Sequence, residues 1–158
     1  MLQVMWGTLP AGHFHQRNTM KRLLTLASVL ASLALAACGG PLRYQLQGGT
    51  KAPDADAEIV ADVNEDTNTS LLEIRIQHLA PPGRVQEGSN SFVVWYRKDS
   101  SGSWTRVGTL KYDEDDRVAE LAGVSVPLVA FELSITAEDS ETPESPSPNV
   151  VFAQKVSE

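Results

Sequence analysis

Apolar and polar positions alternate from Leu42 onward. Leu42, Tyr44 and Leu46 alternate with Arg43, Gln45 and Gln47, the period-two signature of a half-buried strand. Ala57, Ile59, Ala61 and Val63 repeat the pattern, as do Leu72, Ile74 and Ile76. The polar run Asn64–Thr69 joins these last two segments and predicts an antiparallel pair. Pro81-Pro82-Gly83 ends the third segment, and residues 83–90 read as a loop. Phe92-Val93-Val94-Trp95-Tyr96 is apolar throughout. A strand covered on both faces reads this way, so it is predicted as a central strand with Trp95 in or beside the core. Trp104–Tyr112 is predicted as the next strand, with a bulge or a close backbone approach at Gly108. A short strand follows over Val118–Leu121, then the clean alternation of Val129–Ala137. The acidic, proline-bearing segment 138–148 reads as a stiff extended loop, and Asn149–Val156 as the last strand. No helix of three turns is predicted after Cys38.

Seven or eight short strands separated by turns predict an all-β chain. The expected architecture is a single antiparallel β-sandwich of immunoglobulin or fibronectin type III character over residues 42–158. Cys38 is the only cysteine in 158 residues. No internal disulfide can form, which rules out the antibody-type variant and leaves the core to hold the domain.

The segment before the strands has a different grammar. Lys21 and Arg22 precede fifteen uncharged residues, Leu23–Ala37. A basic start followed by a short apolar core is a secretory signal, and the core is short of the roughly 20 residues that span a bilayer. The signal ends in Leu35-Ala36-Ala37-Cys38, which resembles the lipobox of bacterial lipoproteins. That resemblance implies a diacylglycerol on the Cys38 sulfur, cleavage before Cys38 and an acylated new amino terminus. Two or more acyl chains anchor a protein stably, so the membrane is an expected partner. Residues 20–37 are then a signal peptide carrying the N-terminal helix, and 38–41 a lipidated tether. Residues 1–19 show no period; Met20 is the natural start, and what precedes it reads as a mis-assigned start or discarded extension. Gly39 and Gly40 follow the cysteine with no Asp at the second position. In lipoproteins resembling those of enteric bacteria this pattern leans toward the outer membrane.

Charge narrows the partners. The chain holds 13 Lys+Arg and 20 Asp+Glu; Arg17, Lys21 and Arg22 lie before Cys38 and no acid does, so the part from Cys38 onward carries −10. A surface of that sign repels nucleic acid and anionic lipid, and no nucleic-acid partner is expected. Asp113, Asp115 and Asp116 are the candidate metal ligands, since calcium takes several carboxylate oxygens at once. Their spacing is not that of an EF-hand, and a solvated hairpin turn is the competing reading. Trp104 and Tyr112 are the candidate binding residues, because exposed aromatics stack on sugars or anchor protein partners. Aromatics in strands also fill cores. His78, the only histidine after Cys38, reads as a structural residue at a strand end. No GxSxG, phosphate loop, HExxH or CxxC occurs in the chain. No catalytic constellation and no cofactor are expected.

Phe92-Val93-Val94-Trp95-Tyr96, Val107-Gly108-Thr109-Leu110, the Asp-rich turn, Ala130–Glu138 and Pro146–Val151 together resemble the extracytoplasmic β-sandwich of anti-sigma-K-type anti-sigma factors. The resemblance covers roughly residues 91–152 and implies the fold and the outer side of a membrane. Those proteins also carry a sigma-binding helical domain and a membrane span, neither of which is read here, so sigma-factor inhibition is not carried over. The expected function is a non-enzymatic envelope lipoprotein whose β-sandwich serves as an interaction or structural module with an unknown protein partner. The alternative is a sensing module for sugar or calcium.

Overall fold

Nine strands make two antiparallel sheets in the computed structural model, which describes residues 40–157. The signal segment, the preceding extension and Cys38 lie outside the described residues. In chain order the strands are β1 (Leu42–Gln47), β2 (Asp56–Asn64), β3 (Thr69–Gln77), β4 (Ser91–Arg97), β5 (Thr105–Thr109), β6 (Lys111–Asp113), β7 (Val118–Val126), β8 (Phe131–Glu138) and β9 (Val150–Val156). One helical turn, α1 (Pro82–Val85), joins β3 to β4. The first sheet runs β1-β2-β3-β7-β6 and the second β5-β4-β8-β9. The order β2-β3-β7-β6 is the A-B-E-D sheet of an immunoglobulin-type sandwich, and β4-β8-β9 is its C-F-G sheet. β5 lies beside β4 in the C′ position, and β1 is an added edge strand.

The alternating apolar positions meet between the sheets. Ile59, Leu72, Ile74 and Ile76 from the first sheet pack against Phe92, Val94, Leu133, Ile135 and Phe152 from the second, all nearly or fully buried. Full burial of each such side chain is worth roughly 1.5–3 kcal/mol relative to exposure. The opposite positions of β2 and β3 carry the charges. Arg43 pairs with Glu58 at 3.4 Å and Arg75 pairs with Glu120 on the solvent face.

Two departures from the sequence reading have physical causes. The segment predicted as one strand, Trp104–Tyr112, is two. Leu110 donates its amide to the Phe92 carbonyl (2.8 Å) and is buried; there the chain leaves β4 and joins β7 in the other sheet. This switch makes the ninth strand. Second, β7 continues past Leu121 to Val126. Leu72 faces Val124 while Glu73 faces Ala122, so Gly123, at φ +72°, is the extra residue of a bulge. The bulge shifts the alternation by one and hides the second half of the strand from a period-two reading. Trp95 stands beside the inter-sheet core, as the apolar run predicted for a strand covered on both faces. Phe92 and Val94 point inward; Val93 and Trp95 point to the outer face of the second sheet, yet both are fully buried.

Residues 139–149 cover that outer face. From the end of β8 the segment runs over β4 to β5, where Thr109 Oγ1 donates to the Glu141 carbonyl at 2.6 Å. On the way Ser91 Oγ donates to the Ser140 carbonyl at 2.7 Å. The segment returns to β8, where the Ser147 amide donates to Glu138 Oε1 at 2.8 Å and Ser147 Oγ to the Ala137 carbonyl at 3.1 Å. The predicted stiff loop is thus a strap tied down at both ends and in the middle. The Gly108 expectation holds in both senses. Val107 is the extra residue of a bulge against β4, and a Cβ on Gly108 would sit 3.3 Å from Leu121 Cδ1 of the other sheet.

Candidate functional site

The Asp-rich turn is built to hold itself. Asp113 Oδ1 accepts the amides of Asp115 (3.0 Å) and Asp116 (3.2 Å), the Asx-type geometry that closes tight hairpins. Arg117 completes the turn at φ +55° and donates from Nη2 to the His78 carbonyl at 2.7 Å. Among the described residues, no group of three or more carboxylate, imidazole or thiol side chains converges as a metal ion would require. Asp115 and Asp116 stay exposed in solvent.

Tyr112 belongs to the framework. Its ring meets Phe92 edge-on, with centroids 5.7 Å apart and planes at 68°. Its hydroxyl donates to the Leu79 carbonyl at 2.9 Å. This fastens β6 to the β3–α1 connection and closes one end of the sandwich. Desolvation raises the phenol's pKa above its ordinary value. His78 sits at the end of β3 at φ +56° with Nδ1 3.5 Å from Asp56 Oδ2, both side chains exposed.

Trp104 is placed differently. It lies half-exposed just before β5, and the Arg97 guanidinium carbon stands 4.4 Å from the centre of its ring, within cation–π range. Arg97 is itself fixed by Glu132, whose Oε2 accepts from Nε at 2.7 Å and pairs with Nη2 at 2.6 Å. Beside them a groove of about 530 Å³ opens on the outer face of the second sheet, where the strap does not reach. Ser134 and Ala153 form its floor, and Trp104, Arg97, Val150 and Lys155 stand at its rim. Among the described residues, Val150 is one of two large apolar residues with more than a third of their surface exposed. The neighbouring β4–β5 turn is held by Asp99, whose carboxylate accepts from the Ser101 hydroxyl and amide. Those bonds set its pKa below the usual carboxylate range.

The structure therefore separates the two candidate aromatics, with Tyr112 in the framework and Trp104 at the groove. It adds a group that the pattern did not reveal. Trp95 Nε1 donates to Thr136 Oγ1 at 2.8 Å, and the Thr136 hydroxyl donates to Glu138 Oε1 beneath the strap. Trp95, Thr136 and Glu138 are each at least 96% buried, so this chain of donors satisfies groups that would be costly to leave unpaired. The only trace of it in the sequence is that Thr136 and Glu138 lie on the polar phase of β8, the phase that faces Trp95. Comparison of the chain with protein-family models, with curated proteins and with solved structures returned no match.

Proposed function

We propose that this chain is a lipid-anchored protein of the bacterial envelope, held by Cys38, whose acidic immunoglobulin-type sandwich works as a non-enzymatic interaction module. The outer membrane is the preferred site. The observation that carries the anchor is the position of the only cysteine, directly after Leu35-Ala36-Ala37 and an uncharged run preceded by Lys21 and Arg22. The module reading rests on what the fold offers. Asp113, Ser147 and Glu132 are engaged in a turn, the strap and a cross-strand pair, and one open groove carries an aromatic and two cations. The sensing alternative has less behind it. Asp113 is occupied by its own turn and Tyr112 by Leu79, and Asp115 and Asp116 do not converge with a third ligand among the described residues, so Trp104 is the candidate best placed to serve a ligand.

The test is intact mass and membrane partitioning in a bacterial host, beside Cys38→Ser. The wild-type chain is expected to begin at an acylated Cys38 and to sediment with membranes, and the variant to stay soluble. A soluble, unmodified wild type would end the anchoring reading.

A further inference from the structure

β9 ends its sheet, and the residues around it specify what would extend it. Across the outer face of the second sheet, Arg97 stands opposite Glu132 and Glu132 opposite Lys155. The row alternates cation, anion, cation and stops at the edge. Glu132 gives its Oε2 to both Arg97 nitrogens, and among the described residues Lys155 has no carboxylate within ion-pair distance. Two rows away on the same face, exposed Val150 stands opposite Thr136. β9 itself, VVFAQKV, contains no acid.

The edge is also flanked by two hollows. The groove at Trp104 lies on the outer side. On the other, β1 and β9 splay apart around a gap of about 740 Å³ lined by Leu46, Val151 and Phe152 together with Gln45, Gln47 and Asp56. The two strands are pinned at one end only, where the Tyr44 hydroxyl meets both the carbonyl and the amide of Ser157 at 3.2 Å. Gln154 Nε2 covers the Lys155 carbonyl at 2.7 Å, so the backbone of β9 is left open from Val150 to Gln154 and Lys155 is offered through its side chain. An added strand sends alternate side chains to opposite faces, and receptors of extended peptides combine an unpaired edge with sockets for both sets.

We propose that the β9 edge takes a short extended segment of a partner protein by strand addition, with one carboxylate of that segment against Lys155 and an apolar side chain against Val150. The proposal rests on the interaction-module reading and names its surface. The bulge at Val151 absorbs one residue. The guest's carboxylate and apolar side chain therefore stand four residues apart, the spacing from Glu132 to Thr136 on β8. The acid belongs at that one position, because elsewhere the module's negative charge disfavours it and Lys155 acts only within about a Debye length of 8 Å.

The probe is a seven-residue peptide of alternating Thr and Val, with Glu at its second position and Val at its sixth, titrated calorimetrically into the full-length Cys38→Ser chain. It is expected to bind, and its Lys-for-Glu counterpart about fivefold more weakly, the worth of one cross-strand charge pair. Lys155→Glu is expected to invert that preference, and Lys155→Ala to abolish it. N-methylation of one alternate set of peptide amides is expected to remove binding, and of the other set to spare it. Absence of peptide binding, indifference to the charge exchange, or equal loss from both methylated sets overturns the proposal. So does a concentration-dependent dimer joined through β9, which would assign the edge to a second copy. Cross-linking in the host separates this failure from that of the wider reading. A partner captured equally by wild type and Lys155→Glu leaves the module and removes the edge; no captured partner, with no peptide bound, removes both.

Discussion

Gly48 shows how much one hydrogen atom can decide. Its amide donates to the Ala55 carbonyl at 2.6 Å, closing the β1–β2 connection over buried Ala52 and Ala55. A Cβ there would collide with the Ala52 carbonyl oxygen, whereas a Cβ on Gly49 would meet nothing. Backbone cannot step aside as a flexible side chain can. Gly48→Ala is therefore expected to cost about 1–3 kcal/mol, read as a lower urea midpoint at constant slope, while Gly49→Ala leaves the midpoint in place. Tyr112 makes a prediction in pH. Burial raises its pKa in the fold, so the folded state holds the proton more tightly than the unfolded chain, where it titrates near 10. That contribution is intact below about pH 10 and is lost as pH rises through the folded value. Urea titrations in alkali should show stability falling, and Tyr112→Phe should remove part of the fall. The same change forfeits the bond to Leu79, about 1 kcal/mol at neutral pH.

Among the elements, the strap has the largest structural consequence. A β-sandwich normally leaves the outer faces of its sheets to water. Here 139–149 closes one of them over Val93 and Trp95, and Thr136 links Trp95 to Glu138. Replacing Thr136 by Val keeps the shape and deletes the link. The indole N–H would then be buried without an acceptor, and Glu138 would lose a donor. The expected cost is about 2 kcal/mol, with faster limited proteolysis inside 139–149 as the strap loosens. Equal cleavage rates in the two chains would mean that the bonds of Ser91, Thr109 and Ser147 hold the strap without the Thr136 link. The β5–β6 corner is the other element-level decision. Gly108 was visible in the sequence as an irregularity, but the change of sheet falls at Leu110, after which the Tyr112 hydroxyl reaches the Leu79 carbonyl beyond the end of β3 and its ring packs edge-on against Phe92 of the sheet left behind.

At the scale of the molecule, the buried core of the described residues runs from Ala52 to Val156, with Leu42, Tyr44 and Leu46 packed against it. The proposed anchor at Cys38 lies outside these residues. Cys38→Ser should leave the thermal midpoint of the sandwich unchanged to within about 0.5 kcal/mol while releasing the protein from membranes. A lowered midpoint in the soluble variant would show that the tether supports the core.

The alternation of Ile59, Leu72, Ile74, Ile76 and Leu133 was enough to define an all-β sandwich and most of its strands, because each inward position is set by a local period of two. The Asn64–Thr69 turn and the central place of β4 were equally local. The partition of Trp104 from Tyr112, the outward turn of Trp95, the length of β7 and the bare cation at Lys155 were not. Each depends on which strand lies beside which, and on bulges at Val107, Gly123 and Val151 that shift side chains from one face to the other. A chain pattern records the period of a strand, whereas the face it presents is fixed only when its neighbours and their register are in place.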